Sequence, residues 1–239
     1  MTKRPPNGFL QSLTNGDFEL FRPHLRDVEL EHSKVLFDVG GKIPCLYFPH
    51  SGVISLVVVL SDGDLIEAGM IGRDGVAGTA AALDDAVALN RAIVQVEGAA
   101  SVVDMAHAQA AVAASRALRK KLYQHDQILL AQAQQSVACN AMHDVEERLS
   151  RWLLRTRDLV GGDTLKLTQE YIAQMLGVRR TSVTLAARNL QAAGLIKYRR
   201  GQIRITDVEA LHEAACECHE AVKAQAARMI PRVEIASES

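Results

Sequence analysis

Two adjacent arginines follow a glycine in the stretch LGVRRTSV (176–183), and such residues can contact a polyanion. The apolar residues after them recur at helical spacing, at Val183, Ala187 and Leu190, which predicts the buried face of a helix. The opposite face carries hydrogen-bond donors: Arg180, Thr181, Thr184 and Arg188, with Arg179 and Ser182 beside them. An arginine at the start of a helix can bind guanine in the major groove, and hydroxyls can bind bases or phosphates. We expect Arg180 to contact a base and Arg179 to contact a phosphate.

The residues around this helix predict the elements that must position it. Thr168 is of a preferred N-cap type, and Gly177 suits the positive φ of a tight turn between two helices. After Gly194, the run LIKYRRGQIRI predicts a strand, a basic turn and a second strand. Helix, glycine turn, helix and hairpin together predict a winged helix-turn-helix. The other candidate DNA-contacting residues are Thr168 and Gln169 on its first helix and Arg199 and Arg200 on its wing.

Charge is segregated along the chain. The formal net charge is −1, yet residues 171–206 hold seven Lys or Arg and no Asp or Glu, so the remaining residues sum to −8. A basic segment on an acidic body is typical of a surface that binds nucleic acid. The alternative is a signalling module whose winged helix binds a protein partner. Salt-dependent binding to duplex DNA would separate the two.

The rest of the chain divides into two regions with different residue patterns. Residues 26–104 alternate short β-type runs with turn residues, which predicts an antiparallel sandwich or roll. From Met105 to Val160 there is no Pro or Gly, and helix-forming residues dominate. We therefore predict an α+β fold: an N-terminal antiparallel sandwich or roll, a long helix that packs on a partner helix, and a C-terminal winged helix-turn-helix.

A heptad seam runs along the predicted long helix, through Leu118, Leu122, His125, Leu129, Gln132, Ser136, Cys139 and His143. This spacing predicts packing on a partner helix, so we assign the first six residues to a homodimer interface. A helix buried on its own domain is the alternative. The predicted organisation is a flexible arm (1–14), a β-roll sensor domain (15–111), the dimerisation helix (112–143), a hinge helix (144–160), the winged helix-turn-helix (161–225) and a tail (226–239).

The chain resembles the CRP/FNR family of bacterial transcription regulators. The resemblance is closest in LTQEYIAQMLGVRRTSVTLAARNLQAAGLI (167–196), and it extends to β-roll segments such as GMIGRDGVAG (69–78). It implies a β-roll of the cyclic-nucleotide-binding type, an effector that controls it, and a homodimer on a near-palindromic double-stranded operator, with half-sites about 34–36 Å apart. RNA polymerase is left open as a further partner. Where the cyclic-AMP-responsive members have Arg-Glu and a second Arg, this chain has Arg180, Thr181 and Leu185, so we expect a different operator.

The resemblance also names candidate ligand-binding residues, Gly72, Gly78 and Arg91. Cyclic-nucleotide binders of the family hold the ribose with a Gly-Glu step and the phosphate with Arg-Ser or Arg-Thr. In this chain Gly78 occupies the position of that Glu, and Ala92 follows Arg91 where those binders have Ser or Thr. Both differences argue against a cyclic nucleotide. A surface ion pair of Arg91 with Asp84 or Asp85 is the alternative.

Other chemistries find little support in the sequence. The chain has no cysteine before Cys45, so the N-terminal ligands of the iron–sulfur members are missing and we expect no such cluster. On one helix His212, Cys216 and His219 would share a face, but no fourth ligand is evident and we expect no metal site. Nucleophile–base motifs, clustered His ligands and phosphate loops are missing, so we expect no enzyme and no catalytic residue. No signal sequence or membrane-spanning run is present, and we expect a cytoplasmic protein without a membrane partner.

Overall fold

The computed structural model describes residues 4–199 and 201–229. Antiparallel sheets dominate its first half, and helices with a small sheet make up the second. This confirms the predicted α+β class, with an N-terminal sheet domain, a long helix and a C-terminal winged helix-turn-helix. Within the described residues, no helix combines the length and the apolar character needed to cross a membrane.

Two antiparallel sheets form the β-roll. Their strands are β1 (Arg26–Leu30), β2 (Val35–Phe37), β3 (Cys45–Pro49), β4 (Val53–Val59), β5 (Leu65–Ile71), β6 (Arg91–Val96) and β7 (Gly98–Asp104). The strand orders are β1-β7-β3 and β2-β6-β4-β5. Buried side chains from both sheets, such as Val102 and Ile54, share one core. Two apolar faces therefore meet inside the roll, as an antiparallel sandwich requires.

Short helices close the ends of the roll: α1 (Gly8–Gln11), α2 (Asn15–Phe21), α3 (Thr79–Asp84) and α4 (Met105–Ala114). The predicted flexible arm is wrong for residues 4–14, because Phe9, Leu10 and Leu13 are buried in a core shared with α4. The side-chain amide of Asn7 also donates hydrogen bonds to the carbonyls of Pro49 and Gly75, at 2.9 Å each. Apolar burial and satisfied polar groups thus hold this segment on the domain. Residues 1–3 lie outside the described ranges.

The long helix α5 (Arg116–Met142) packs its heptad seam against its own chain. Leu118 and Leu122 are fully buried in the core that holds α1, α2 and α4. His125 hydrogen-bonds the backbone of Val76, and Gln132 accepts a hydrogen bond of 3.4 Å from the N–H of Met70. Apolar spacing shows that a helix face is covered, and here the β-roll and its helices cover it.

The predicted dimer interface is corrected accordingly. Four of its residues are buried within the single chain, namely Leu118, Leu122, His125 and Gln132. Leu129 is half-buried against the β-roll core, and Ser136 is half-buried near β5 and the following helix. Three large apolar side chains that α5 leaves exposed lie on another stripe: Tyr123, Leu130 and Val137.

The C-terminal part is a helix bundle with a three-stranded sheet. Its elements are α6 (Val145–Val160), β8 (Thr164–Lys166), α7 (Gln169–Leu176), α8 (Arg180–Ala192), β9 (Ile196–Arg199), β10 (Gln202–Ile205), α9 (Val208–Glu213) and α10 (Cys218–Met229). The strand order is β8-β10-β9, and α10 returns to pack on α5. Of the predicted tail, residues 226–229 belong to α10, and 230–239 lie outside the described ranges.

The chain turns sharply between α5 and α6. His143 is the C-cap of α5, and Asp144 opens α6 with a capping box in which Glu147 takes part. Downstream, α6 buries Leu149 and Trp152 in a core that continues into α7, α8 and one face of the β-roll. The helix-turn-helix therefore packs on the β-roll as well as on α6.

Candidate nucleic-acid interface

Three local features position helix α7 and the turn that leads to α8. The Thr168 hydroxyl caps α7 by accepting a hydrogen bond of 3.2 Å from the N–H of Tyr171, as predicted. Gly177 ends α7 with φ +62°, the left-handed conformation that glycine adopts without strain. The buried guanidinium of Arg148 donates a hydrogen bond to the carbonyl of Leu176. Helix α8 then begins one residue after Arg179.

Helix α8 has the two faces expected from its sequence. Val183, Ala187 and Leu190 are buried, together with Ala186. The opposite face presents exposed Arg180, Thr181 and Arg188, and half-buried Ser182 and Thr184. Leu185 lies among them with 62% of its surface exposed, so it is not a packing residue of the domain. The first two turns of α8 thus offer both hydrogen-bond donors and an apolar contact to a groove.

Two polar side chains of this face contact residues of α7. The hydroxyl of Thr184 donates a hydrogen bond of 2.7 Å to the Gln169 side-chain carbonyl, which joins α8 to α7. Arg180 Nε lies 3.7 Å from a carboxylate oxygen of Glu170, and both side chains are exposed. An exposed pair of this length contributes little energy, so Arg180 is free to exchange it for another anion.

The wing lies beside α8 and is tied to it. Strands β9 and β10 pair antiparallel, with Gly201 at φ +76° in the turn between them. The N–H of Tyr198 donates a hydrogen bond of 2.9 Å to the Gln191 side chain on α8. Arg199 is exposed at the end of β9, and Arg200 lies outside the described residues. The wing therefore extends the cationic surface that begins on α8.

The back of the helix-turn-helix contacts the sensor domain through a polar network. The Trp152 indole on α6 donates a hydrogen bond of 3.0 Å to Glu67 on β5. The hydroxyl of Ser55 donates one of 2.6 Å to the other oxygen of that carboxylate. Burial away from solvent raises the pKa of the Glu67 carboxyl to about 7. The two hydrogen bonds to this carboxyl act in the opposite direction and lower its pKa. A titratable group therefore lies at the contact between the two parts of the chain.

A sequence profile described as the Crp-like helix-turn-helix domain matches residues 147–214, which run from α6 through the wing to α9. Solved structures are similar over the whole architecture. FixK2 from Bradyrhizobium japonicum has a TM-score of 0.68 at 17% identity, over 80% of this chain and 98% of that one. A CRP/FNR-family transcriptional regulator from Thermus thermophilus has a TM-score of 0.65 at 22% identity, over 80% and 98%. The chain has the CRP/FNR fold and a Crp-like helix-turn-helix domain.

The c-di-GMP-responsive global regulator CLP of Xanthomonas campestris has the same fold, with a TM-score of 0.65 at 17% identity, over 80% of this chain and 99% of that one. No curated protein sequence matches the chain. The solved structures named above share the fold of this chain at low sequence identity.

The candidate ligand residues of the β-roll make the following contacts in this chain. Arg91 forms a two-point ion pair with Asp38, at 2.6 and 3.0 Å, and not with Asp84 or Asp85. Gly72 lies where a Cβ would be only 2.7 Å from the Cβ of Leu159 on α6, so it is a close-packing residue. Gly78 precedes α3 with φ +96°.

These residues do not fit a cyclic nucleotide. The phosphate of such a ligand needs a free cation, and the guanidinium of Arg91 is already paired with a carboxylate. The position that would hold the ribose carries Gly78, which has no side chain to do so.

The C-terminal histidines and cysteines are arranged differently from the one-helix prediction. Helix α9 ends at Glu213 and α10 begins at Cys218, so Cys216 lies in a turn and shares no helix face with His212 and His219. Cys216 and Cys218 instead meet Cys139 and His143 at the end of α5. No sequence signal links the two pairs, because they lie far apart in the chain and only the return of α10 to α5 brings them together.

Proposed function

We propose that this protein is a homodimeric transcription regulator that binds a specific DNA sequence through α8 and the wing. The observation that carries the proposal is the exposed face of α8, with Arg180, Thr181 and Arg188 opposite a fully buried stripe. That face belongs to a 36-residue segment, 171–206, without a carboxylate side chain. A helix of this kind fits the major groove, where its N-terminal residues meet base edges.

Within this helix, roles can be assigned by position. Arg180 opens α8 and can bind guanine O6 and N7 with two hydrogen bonds. Leu185 is exposed one turn later and can contact a thymine methyl group. Arg179 precedes the helix, and Arg199 lies on the wing, where both can neutralise phosphates. These contacts should select a different operator from the one that the cyclic-AMP-responsive members bind, because those members use Arg-Glu and a second Arg.

The proposed dimer forms through the exposed stripe of α5. Its residues recur at spacings of four and three: Tyr123, Gln127, Leu130, Gln134, Val137 and Ala141. The large apolar members Tyr123, Leu130 and Val137 have 57%, 50% and 71% of their surfaces exposed. Single exposed apolar residues are common, but a heptad repeat of them on one helix is typical of a coiled-coil seam. Two copies of α5 packed on this stripe would place two helix-turn-helix domains side by side.

We further propose that the sensor domain controls DNA binding through the hinge between α5 and α6. The hinge is followed by Trp152, which contacts Glu67 of the β-roll, and by Leu159, which packs on Gly72. An effector that favours one β-roll state would shift the population of hinge angles, and with it the separation of the two α8 helices.

Selection of binding sites from random duplex DNA, with the full purified chain, tests the function. We expect a near-palindromic site and an affinity that falls steeply with salt, because cationic side chains release counterions from phosphates. Binding that is insensitive to salt and to sequence would contradict the proposal. That result would favour a winged helix that contacts a protein.

A further inference from the structure

Four side chains with metal-binding atoms converge where α5 ends. Cys139 and His143 come from the last turn and the C-cap of α5, and Cys216 and Cys218 come from the junction of α9 and α10. Their ligand atoms all lie within 4.8 Å of one another. The sulfurs of Cys139 and Cys216 are 3.5 Å apart, and Cys218 Sγ lies 3.6 Å from His143 Nδ1.

These distances suit the edges of a tetrahedron around one ion. With Zn–S bonds of about 2.3 Å and a Zn–N bond of about 2.0–2.1 Å, neighbouring sulfurs lie about 3.8 Å apart, and sulfur and nitrogen about 3.6 Å apart. Two of the six ligand–ligand distances, Cys139 Sγ to Cys216 Sγ and Cys218 Sγ to His143 Nδ1, are within about 0.3 Å of these values, and the others are at most 4.8 Å. Clusters of two or more irons hold their ligands on separate metal atoms and so need a wider arrangement.

The surroundings complete what a metal site needs. All three cysteines are buried, and their side chains form a small cluster of their own. His143 turns Nδ1 toward the cluster, while its Nε2 lies 3.2 Å from a carboxylate oxygen of Glu217. A metal-binding histidine commonly donates its second N–H to such a carboxylate, which orients the ring. The amide of Gln135 donates a hydrogen bond of 3.0 Å to the sulfur of Cys218.

Cationic side chains lie beside the cluster, which matters because cysteine binds a metal as the thiolate. Three thiolates, one neutral imidazole and a divalent cation would sum to −1. The buried Arg148 and the neighbouring Arg151 can balance that charge.

We propose that Cys139, His143, Cys216 and Cys218 form a structural zinc site that ties the end of α5 to the turn before α10. Four protein ligands close the coordination sphere, so the ion has no open position for a reaction. The site lies at the hinge, because His143 is directly followed by Asp144, the N-cap of α6. Bound zinc would hold the angle between the dimer helix and the helix-turn-helix domain. Only this last consequence rests on the proposed function.

Metal analysis of the full-length protein, purified under reducing conditions and reconstituted with zinc, tests the site without DNA. We expect one zinc per chain, and the charge-transfer and visible absorption of a tetrahedral thiolate complex when Co²⁺ replaces it. Cys216→Ser and Cys218→Ser should lose the metal. Cys45→Ser is the matched control, because Cys45 is also a buried free thiol but lies on β3, and it should keep the metal.

A second variant tests the site with less risk that the chain fails to fold. Glu217→Gln keeps all four ligands and removes only the carboxylate behind His143, so we expect zinc affinity to fall by about 10–100-fold. Competition with a chromophoric chelator measures this change. A wild-type chain that takes up no zinc, equal zinc in Cys216→Ser, a Cys139–Cys216 disulfide under reducing conditions, or iron as the bound metal would each overturn the proposal. A positive metal result with no DNA binding would leave the zinc site standing and refute only the function.

Discussion

The indole N–H of Trp152 on α6 donates a hydrogen bond of 3.0 Å to the carboxylate of Glu67 on β5 of the β-roll. The Ser55 hydroxyl donates to the same carboxylate and also contacts the side-chain carbonyl of Gln95. The contact between the β-roll and the C-terminal part thus includes a buried, titratable carboxyl group.

This contact should respond to pH. Burial raises the pKa of Glu67 in the folded state to about 7, from 4.5. The folded chain therefore holds a proton that the unfolded chain has released, and the free energy of unfolding should fall as the pH rises from about 5 to about 7. Glu67→Gln carries no such proton, so its thermal midpoint should change less across this range. Equal pH dependence in the variant and the wild type would contradict this role.

Arg180→Ala tests direct readout by α8. Removing a bidentate contact with guanine should cost about 1–3 kcal/mol on the selected operator and relax the preference at one base position per half-site. Fluorescence anisotropy with matched and mismatched duplexes measures both effects. Unchanged affinity and preference would mean that α8 does not read bases.

Arg199→Ala tests the wing as a phosphate contact. Arg199 is exposed at the end of β9, and its loss should weaken binding to all sequences alike. The slope of log affinity against log salt should fall in magnitude by about one. A selective loss at one base position, with the slope intact, would assign Arg199 to base recognition instead.

Leu130→Glu tests the exposed stripe of α5. A charge in the middle of a coiled-coil seam should convert the dimer to a monomer, as measured by light scattering, and weaken binding to a palindromic site. Leu89→Glu is the matched control, because Leu89 is 88% exposed but lies on the β-roll before β6. If both variants stay dimeric, the dimer uses another surface.

Gly72→Ala separates packing from ligand binding at Gly72. The new Cβ would lie 2.7 Å from the Cβ of Leu159, so β5 and α6 must move apart. We expect a loss of about 1–3 kcal/mol in the free energy of unfolding, with or without effector. Chemical denaturation measures it. A variant of wild-type stability that fails only in effector response would show that Gly72 belongs to a ligand site.

Local spacing was enough to predict much of the candidate interface. The turn at Gly177, the cap at Thr168 and the buried stripe from Val183 to Leu190 each depend on residues within a few positions of one another. Short-range geometry of this kind is set by helix periodicity and by the conformational freedom of glycine. Sequence also showed that the basic residues of 171–206 are segregated from acidic ones, because that fact is one of composition.

Contacts between distant segments could not be predicted in this way. The heptad seam of α5 showed that a face is covered, but not that the cover is the chain's own β-roll, so the free stripe at Tyr123 and Leu130 was missed. Arg91 pairs with Asp38 and not with Asp84 or Asp85, which are nearer to it in the sequence. The reason is that β6 pairs with β2, and Asp38 directly follows β2.

The sequence by itself determined the winged helix-turn-helix, its donor-bearing face and its charge, since each follows from neighbours along the chain. Only the tertiary structure decided which side of α5 is free and which cysteines meet. The packing of α10 against α5 brings Cys216 and Cys218 to Cys139 and His143, and no spacing within either pair carries information about the other. Metal ligands that come from two distant turns become visible only when the chain has folded.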